Sequence, residues 1–127
     1  MDGPGQRFAI RFGWAMGVLM RALGLGPRRS YVELDGVRVR VRMGWGFRAD
    51  LLRSSIVDVR PRPYVWWAYG VHYAGRGRWI VNGSGHDVVR LVLDPPGRAR
   101  TLGAPIRVRE VWVSLEEPES FRIALGR

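Results

Sequence analysis

From Val37 to Met43 the chain alternates aliphatic and arginine residues without a break, with Val37, Val39, Val41 and Met43 on one phase and Arg38, Arg40 and Arg42 on the other. Side chains leave a β-strand on opposite sides with a period of two, so this run describes a strand with one dry face and one wet face. A slip of one residue would carry three guanidinium groups into the interior. Burying unpaired charge costs far more than a strand gains by pairing, so the register is strongly set. Tyr31 to Leu34 precedes the run across Asp35-Gly36, a dipeptide that tolerates the positive φ angles of a tight turn. The two segments read as a hairpin.

The same reading extends along the chain. Phe47, Ala49 and Leu51 share a face of a strand from Phe47 to Leu52, and Ile56 to Arg60 makes another. A short strand is expected near Gly70 to Tyr73. A second hairpin is expected from Arg78 to Val81, through Asn82-Gly83-Ser84-Gly85, and out from Asp87 to Leu93, with Asp94-Pro95-Pro96-Gly97 ending it. The last strand, Ile106 to Leu115, changes phase, from Ile106 and Val108 to Val111, Val113 and Leu115. A bulge near Arg109-Glu110 would turn both sets inward; the alternative is a strand buried on both faces. Glu117-Pro118-Glu119 then opens a helix, with proline at a favoured first position, acids near the positive end of the dipole, and Phe121 and Leu125 to pack it down. At the other end Phe8, Ile10 and Phe12 alternate as a strand, and Met16, Leu19, Met20 and Leu23 mark one face of a short helix over Trp14 to Leu23.

The 127 residues show no repeat and no linker, so one domain is expected over 1–127, with 1–30 as an N-terminal extension and 31–127 as its body. The absence of cysteine excludes disulfides, zinc-thiolate sites and thiol catalysis together. The net charge is +10 and all 21 basic residues are arginine. A GC-rich genome would produce that bias by codon composition, but the resulting positive potential still attracts phosphate, acidic peptides or anionic lipid. The apolar stretch from Phe8 to Leu25 is interrupted by Arg11 and Arg21. At up to ~3 kcal/mol each they cancel most of what its apolar residues contribute at ~0.5 kcal/mol apiece, so no membrane span is expected. Asp2 and the lack of a small-x-small site argue against a signal peptide, and a cytoplasmic location follows as the expectation.

Residues 31–125 resemble the bacterial pleckstrin-homology-like domains of unknown function. The residues carrying the resemblance are the Tyr31 to Met43 hairpin, the strand at Ile56 to Val59, the Trp79 to Leu93 hairpin, and the Val111 to Leu125 strand-to-helix ending with its Glu-Pro-Glu-x-x-Phe step. The resemblance implies a mostly-β fold: a small antiparallel barrel of about seven strands with a C-terminal capping helix, here with an extra N-terminal strand and short helix. It also implies a binding module without choosing the ligand.

Two surfaces could carry binding. The first is the arginine stripe Arg38, Arg40 and Arg42, joined by Arg107 and Arg109 if the barrel brings the last strand close. The competing interpretation is that alternate arginines are simply the wet side of a strand in a lysine-free chain. The second is the aromatic stretch Tyr64 to Tyr73, where Trp66 and Trp67 would point to opposite sides, leaving one exposed as an anchor. A pocket protein or enzyme using a barrel mouth lined by His72, Tyr73, Trp79 and His86 is the alternative. His86-Asp87 neighbours face opposite ways on a strand, Ser54, Ser55 and Ser84 have no matching histidine spacing, and Gly83-Ser84-Gly85 lacks the helix that a phosphate cradle needs. Two histidines without cysteine make a poor metal site. The expectation is therefore a noncatalytic interaction module without metal or cofactor. Its partner is a protein or an anionic surface, and a nucleic acid is less favoured.

Overall fold

The computed structural model describes residues 5–13, 18, 21–22, 29–44, 46–62, 70–82, 84 and 86–126. Its strands are β1 (Gln6–Ala9), β2 (Ser30–Leu34), β3 (Arg38–Met43), β4 (Phe47–Leu52), β5 (Ile56–Arg62), β6 (Gly70–Tyr73), β7 (Arg78–Asn82), β8 (Val88–Thr101) and β9 (Ala104–Ser114). A 3-10 turn (Arg53–Ser55) joins β4 to β5, and helix α1 (Pro118–Leu125) ends the described chain. The fold is mostly β with a C-terminal helix, as expected. The helix expected over Trp14 to Leu23 lies for the most part outside the described residues.

Eight strands hydrogen-bond in the order β1-β2-β3-β4-β8-β9-β7-β6, and β5 pairs with β8 off this path. The sheet is not closed, so where the sequence led to the expectation of a barrel the structure has an open sheet. It is also not antiparallel throughout, because β7 runs parallel to β9. Here the structure corrects the second expected hairpin: β7 and β8 are not paired with each other, because β9 lies between them. The reason is burial. Val111, Trp112, Val113 and Ser114 are all buried, and a strand covered on both faces belongs in a sheet interior with a neighbour on each edge. Past Val113, where the pairing of β9 with β7 ends, the chain after β1 takes up the freed edge: Ile10 bridges Leu115, and Arg11 N donates to Ser114 O.

The first hairpin has the register that the alternation demands, with Val32 opposite Val41 and Leu34 opposite Val39. Val39, Val41 and Met43 are fully buried while Arg38 is exposed. The turn differs in detail. Its centre is Gly36-Val37, so Val37 is exposed in the turn instead of joining the buried phase. The Asp35 carboxylate, not a positive φ at Gly36, builds this turn by accepting from the N–H groups of Val37 (2.8 Å) and Arg38 (2.7 Å).

The strand β8 runs through Asp94-Pro95-Pro96-Gly97 instead of ending there. On one edge it pairs with β9 over Val88 to Val92 and again over Gly97 to Thr101; on the other it pairs first with β5 over Val88 to Leu93 and then with β4 over Arg98 to Thr101. Its register against β9 shifts between Val92 and Gly97, leaving Leu93 to Pro96 opposite Arg109 alone. The prolines are tolerated because they fall in this bulge, where ladder hydrogen bonds are already interrupted. The irregularity is thus on β8, across from the expected place in β9, and the phase change in β9 follows from it. Val108 and Val111 lie on opposite phases of the strand and both are fully buried. Gly97 permits the bend, since a Cβ there would stand 2.5 Å from Cδ2 of fully buried Leu51.

One main core gathers Phe8, Ile10, Val41, Phe47, Leu51, Leu91, Val111, Val113, Phe121 and Leu125 among others. Phe121 reaches it from α1 and meets Phe8 edge to face at 5.2 Å. Arg53 holds the end of the helix, donating from Nη2 to Ala124 O (2.9 Å) and from Nη1 to Asp35 O (2.8 Å). A second, smaller cluster of Ile80, Val88 and Trp112 lies on the other face of β7, β8 and β9.

Candidate functional site

The register places the polar phases of β3, β4, β8 and β9 side by side on the wet face. Arg40 stands opposite Asp50, Asp50 opposite Arg98, and Arg98 opposite Arg107, forming one cross-strand row. The next row runs Arg42, Arg48, Arg100 and Pro105. Residues of these two rows, with Arg38 at one end, line an open groove of about 830 Å³. Among the described residues five arginines border it, Arg38, Arg48, Arg98, Arg100 and Arg107, beside a single carboxylate, Asp50.

Like charges placed directly opposite on neighbouring strands are destabilising, by roughly 0.2–1 kcal/mol for a cross-strand pair. Arg48 with Arg100 and Arg98 with Arg107 are two such pairs. Among the described residues no acid pairs with Arg38, Arg48, Arg98 or Arg107; Arg100 donates to Gly103 O at 3.0 Å.

The stripe expected from the sequence divides in two. Arg40 and Arg42 serve the fold: Arg40 Nη1 donates to Asp35 Oδ2 at 2.8 Å, and Arg42 Nη2 to Asp50 Oδ1 at 2.7 Å. Arg42 Nη1 also reaches the carbonyls of Val41 and Ala49. The two N–H groups of the turn, followed by the Arg40 guanidinium, hold the Asp35 carboxyl down to about 2, and the same contact raises Arg40. Arg38 and Arg107 do line the groove. Arg109 does not join them. It lies past the β8 bulge, where its side chain packs against Gly77 in the β6–β7 turn.

Arg48, Arg98 and Arg100 were not singled out from the sequence. For the last two the signal was present in the alternation Arg98-Ala99-Arg100, with Ala99 buried, but Pro95-Pro96 masks the strand that carries it.

Of the pocket alternative, the structure brings Tyr73 and Trp79 together and places His86 apart from them among the described residues. Tyr73 and Trp79 meet at 5.1 Å beside the β6–β7 turn, where Tyr73 is exposed and Trp79 leans on Phe47. His86 follows the opposite end of β7, its N–H donating to Ser84 Oγ, with three residues of strand, about 10 Å, between Trp79 and that end. His72 sits on β6 opposite Ile80. Trp66 and Trp67 lie outside the described residues. The Gly75-Arg76-Gly77 segment is a turn with three successive left-handed residues, closed by Arg78 donating to Gly75 O and Ala74 O.

Among the described residues no group of three His, Asp or Glu could hold a metal, and no helix is long and apolar enough to cross a membrane. Comparison with protein-family models, with curated proteins and with solved structures finds no match to this chain.

Proposed function

We propose that this chain is a noncatalytic interaction module that binds polyanionic ligands in the arginine groove between β3 and β9. The observation that carries this reading is the two like-charge cross-strand pairs, Arg48 opposite Arg100 and Arg98 opposite Arg107, side by side on the sheet with Asp50 the single carboxylate among the described lining residues. Such an arrangement lowers the stability of the empty fold and becomes favourable once anions sit between the guanidiniums. Arginine suits the task because its planar fork meets phosphate or sulfate oxygens two at a time and stays charged at any physiological pH. The resemblance of residues 31–125 to pleckstrin-homology-like domains, as docking modules, agrees with this reading.

The test is retention on immobilised heparin, a polyanion without sequence or bases. Arg98→Ala combined with Arg107→Ala is expected to elute at clearly lower salt than Arg7→Ala combined with Arg122→Ala, which removes the same charge from residues that are ion-paired elsewhere. Equal shifts for the two double variants would mean that net charge alone holds the protein on the column, and the groove reading would fall.

A further inference from the structure

We infer that the polyanion taken by this groove is the phosphate backbone of a double-stranded nucleic acid, gripped without readout of base sequence. This inference rests on the anion-binding reading above and narrows its ligand. The first argument is extent. The cationic rows cross four adjacent strands, a width of about 14 Å at the usual interstrand spacing. A phosphorylated side chain brings at most about two charges to one point, which would leave most of the row uncompensated. One sugar–phosphate backbone of a duplex carries a charge every ~3.4 Å, roughly four over that width, spread along the rows so as to meet most of the five guanidiniums.

The second argument is what the groove lacks. Among the described residues its apolar lining is Ala99, Pro105 and Ile106, with no aromatic ring on which an unpaired base could stack. Single strands are held largely by such stacking, so contacts made here would be to phosphate alone, and phosphate contacts carry no sequence information. The third is shape. The guanidiniums border a recess, which receives a ridge such as a sugar–phosphate backbone, while a planar bilayer would meet only its rim. The two exposed leucines nearby do not make a bilayer wedge: Leu52 ends β4, and Leu102 is hydrogen-bonded to Gly46 beyond the other end, about 17 Å of strand away.

Fluorescence anisotropy of the full chain with a labelled duplex of about 20 base pairs, titrated between about 50 and 200 mM salt, tests the inference. About four phosphate contacts give a slope of log K against log salt of about −3.6, a loss of roughly 150-fold over that range. Two duplexes of unrelated sequence should bind equally, and one of their strands alone more weakly. Arg98→Ala with Arg107→Ala should reduce the slope by roughly two, while Arg98→Lys with Arg107→Lys should keep most of it; the lysine pair guards against a variant that fails to fold. Vesicles containing phosphatidylserine and immobilised heparin complete the set. If heparin or vesicles bind through the groove and the duplex does not, the duplex inference is overturned and the groove reading stands. If no polyanion binds at low salt, both fall. Tighter binding to the single strand, or unequal affinity for the two duplexes, also overturns it.

Discussion

Asp50 is the one carboxylate among the described residues of a groove bordered by five arginines, and replacing it by asparagine separates what the arginine face does for the fold from what it does for a ligand. Asparagine keeps the shape and an acceptor oxygen but removes the charge. In the folded protein that charge sits 2.7 Å from Arg42 Nη2 and 3.9 Å from Arg40 Nε, and opposite Arg98 on β8. Because the Asp50 side chain is 56% exposed, its pairing with Arg42 is discounted for solvent screening to about 0.5–1 kcal/mol. Arg42 retains two carbonyl acceptors and is not stranded. Unrelieved repulsion along the Arg40, Arg98, Arg107 row adds a few tenths of a kcal/mol, for a total of about 1 kcal/mol and a fall in Tm of roughly 3–5 °C.

Binding should move the other way. A phosphate seated ~8 Å from Asp50 is repelled by about 0.5 kcal/mol in a water-like dielectric, so removing the charge should tighten anion binding about two-fold per such phosphate at low salt. Asp50→Asn should therefore be less stable by thermal circular dichroism and a better binder by anisotropy, with both differences shrinking near 1 M salt as the Debye length falls to ~3 Å. A folded Asp50→Asn that binds polyanions more weakly than the parent would refute the placement of the anion in this groove.

Two further outcomes test the architecture. Gly97→Ala places a methyl carbon against Leu51 Cδ2 at the bend in β8, and overpacking of this kind should cost roughly 1–3 kcal/mol in urea unfolding; a variant as stable as the parent would show that the bend has room to spare. Asp35, with its folded-state pKa lowered to about 2 by the turn N–H groups and Arg40, contributes stability that is present above its unfolded value near ~3.9 and lost as pH falls through 2. An NMR titration of its carboxyl carbon should therefore have its midpoint near 2, and Asp35→Asn should flatten the acid limb of the stability profile between about pH 4 and 2. An ordinary midpoint near 4 would mean that the turn is not built on that side chain.

Alternation alone determined a large part of this molecule. Val39, Val41 and Met43 against Arg38, Arg40 and Arg42 set both the register and the faces of the first hairpin, because charge cannot be buried cheaply and the period of a strand is two. The same logic located β4, β5, β6 and the phase change in β9, and the Glu-Pro-Glu start with Phe121 and Leu125 located α1. What the alternation does not encode is which strand lies beside which. That β9 enters between β8 and β7, and that β8 bends through Pro95-Pro96 from β5 to β4, depends on burying both faces of Val111 to Ser114 and on the space at Gly97, which exist only once distant strands have met. The groove follows from those neighbours. Arg38, Arg48, Arg98 and Arg107 are each an ordinary wet-face arginine in sequence, and only cross-strand pairing sets them side by side while drawing Arg40 and Arg42 to carboxylates and Arg109 to another turn. A strand's own residues decide which way its charges point, whereas the local concentration of charge is a property of the sheet.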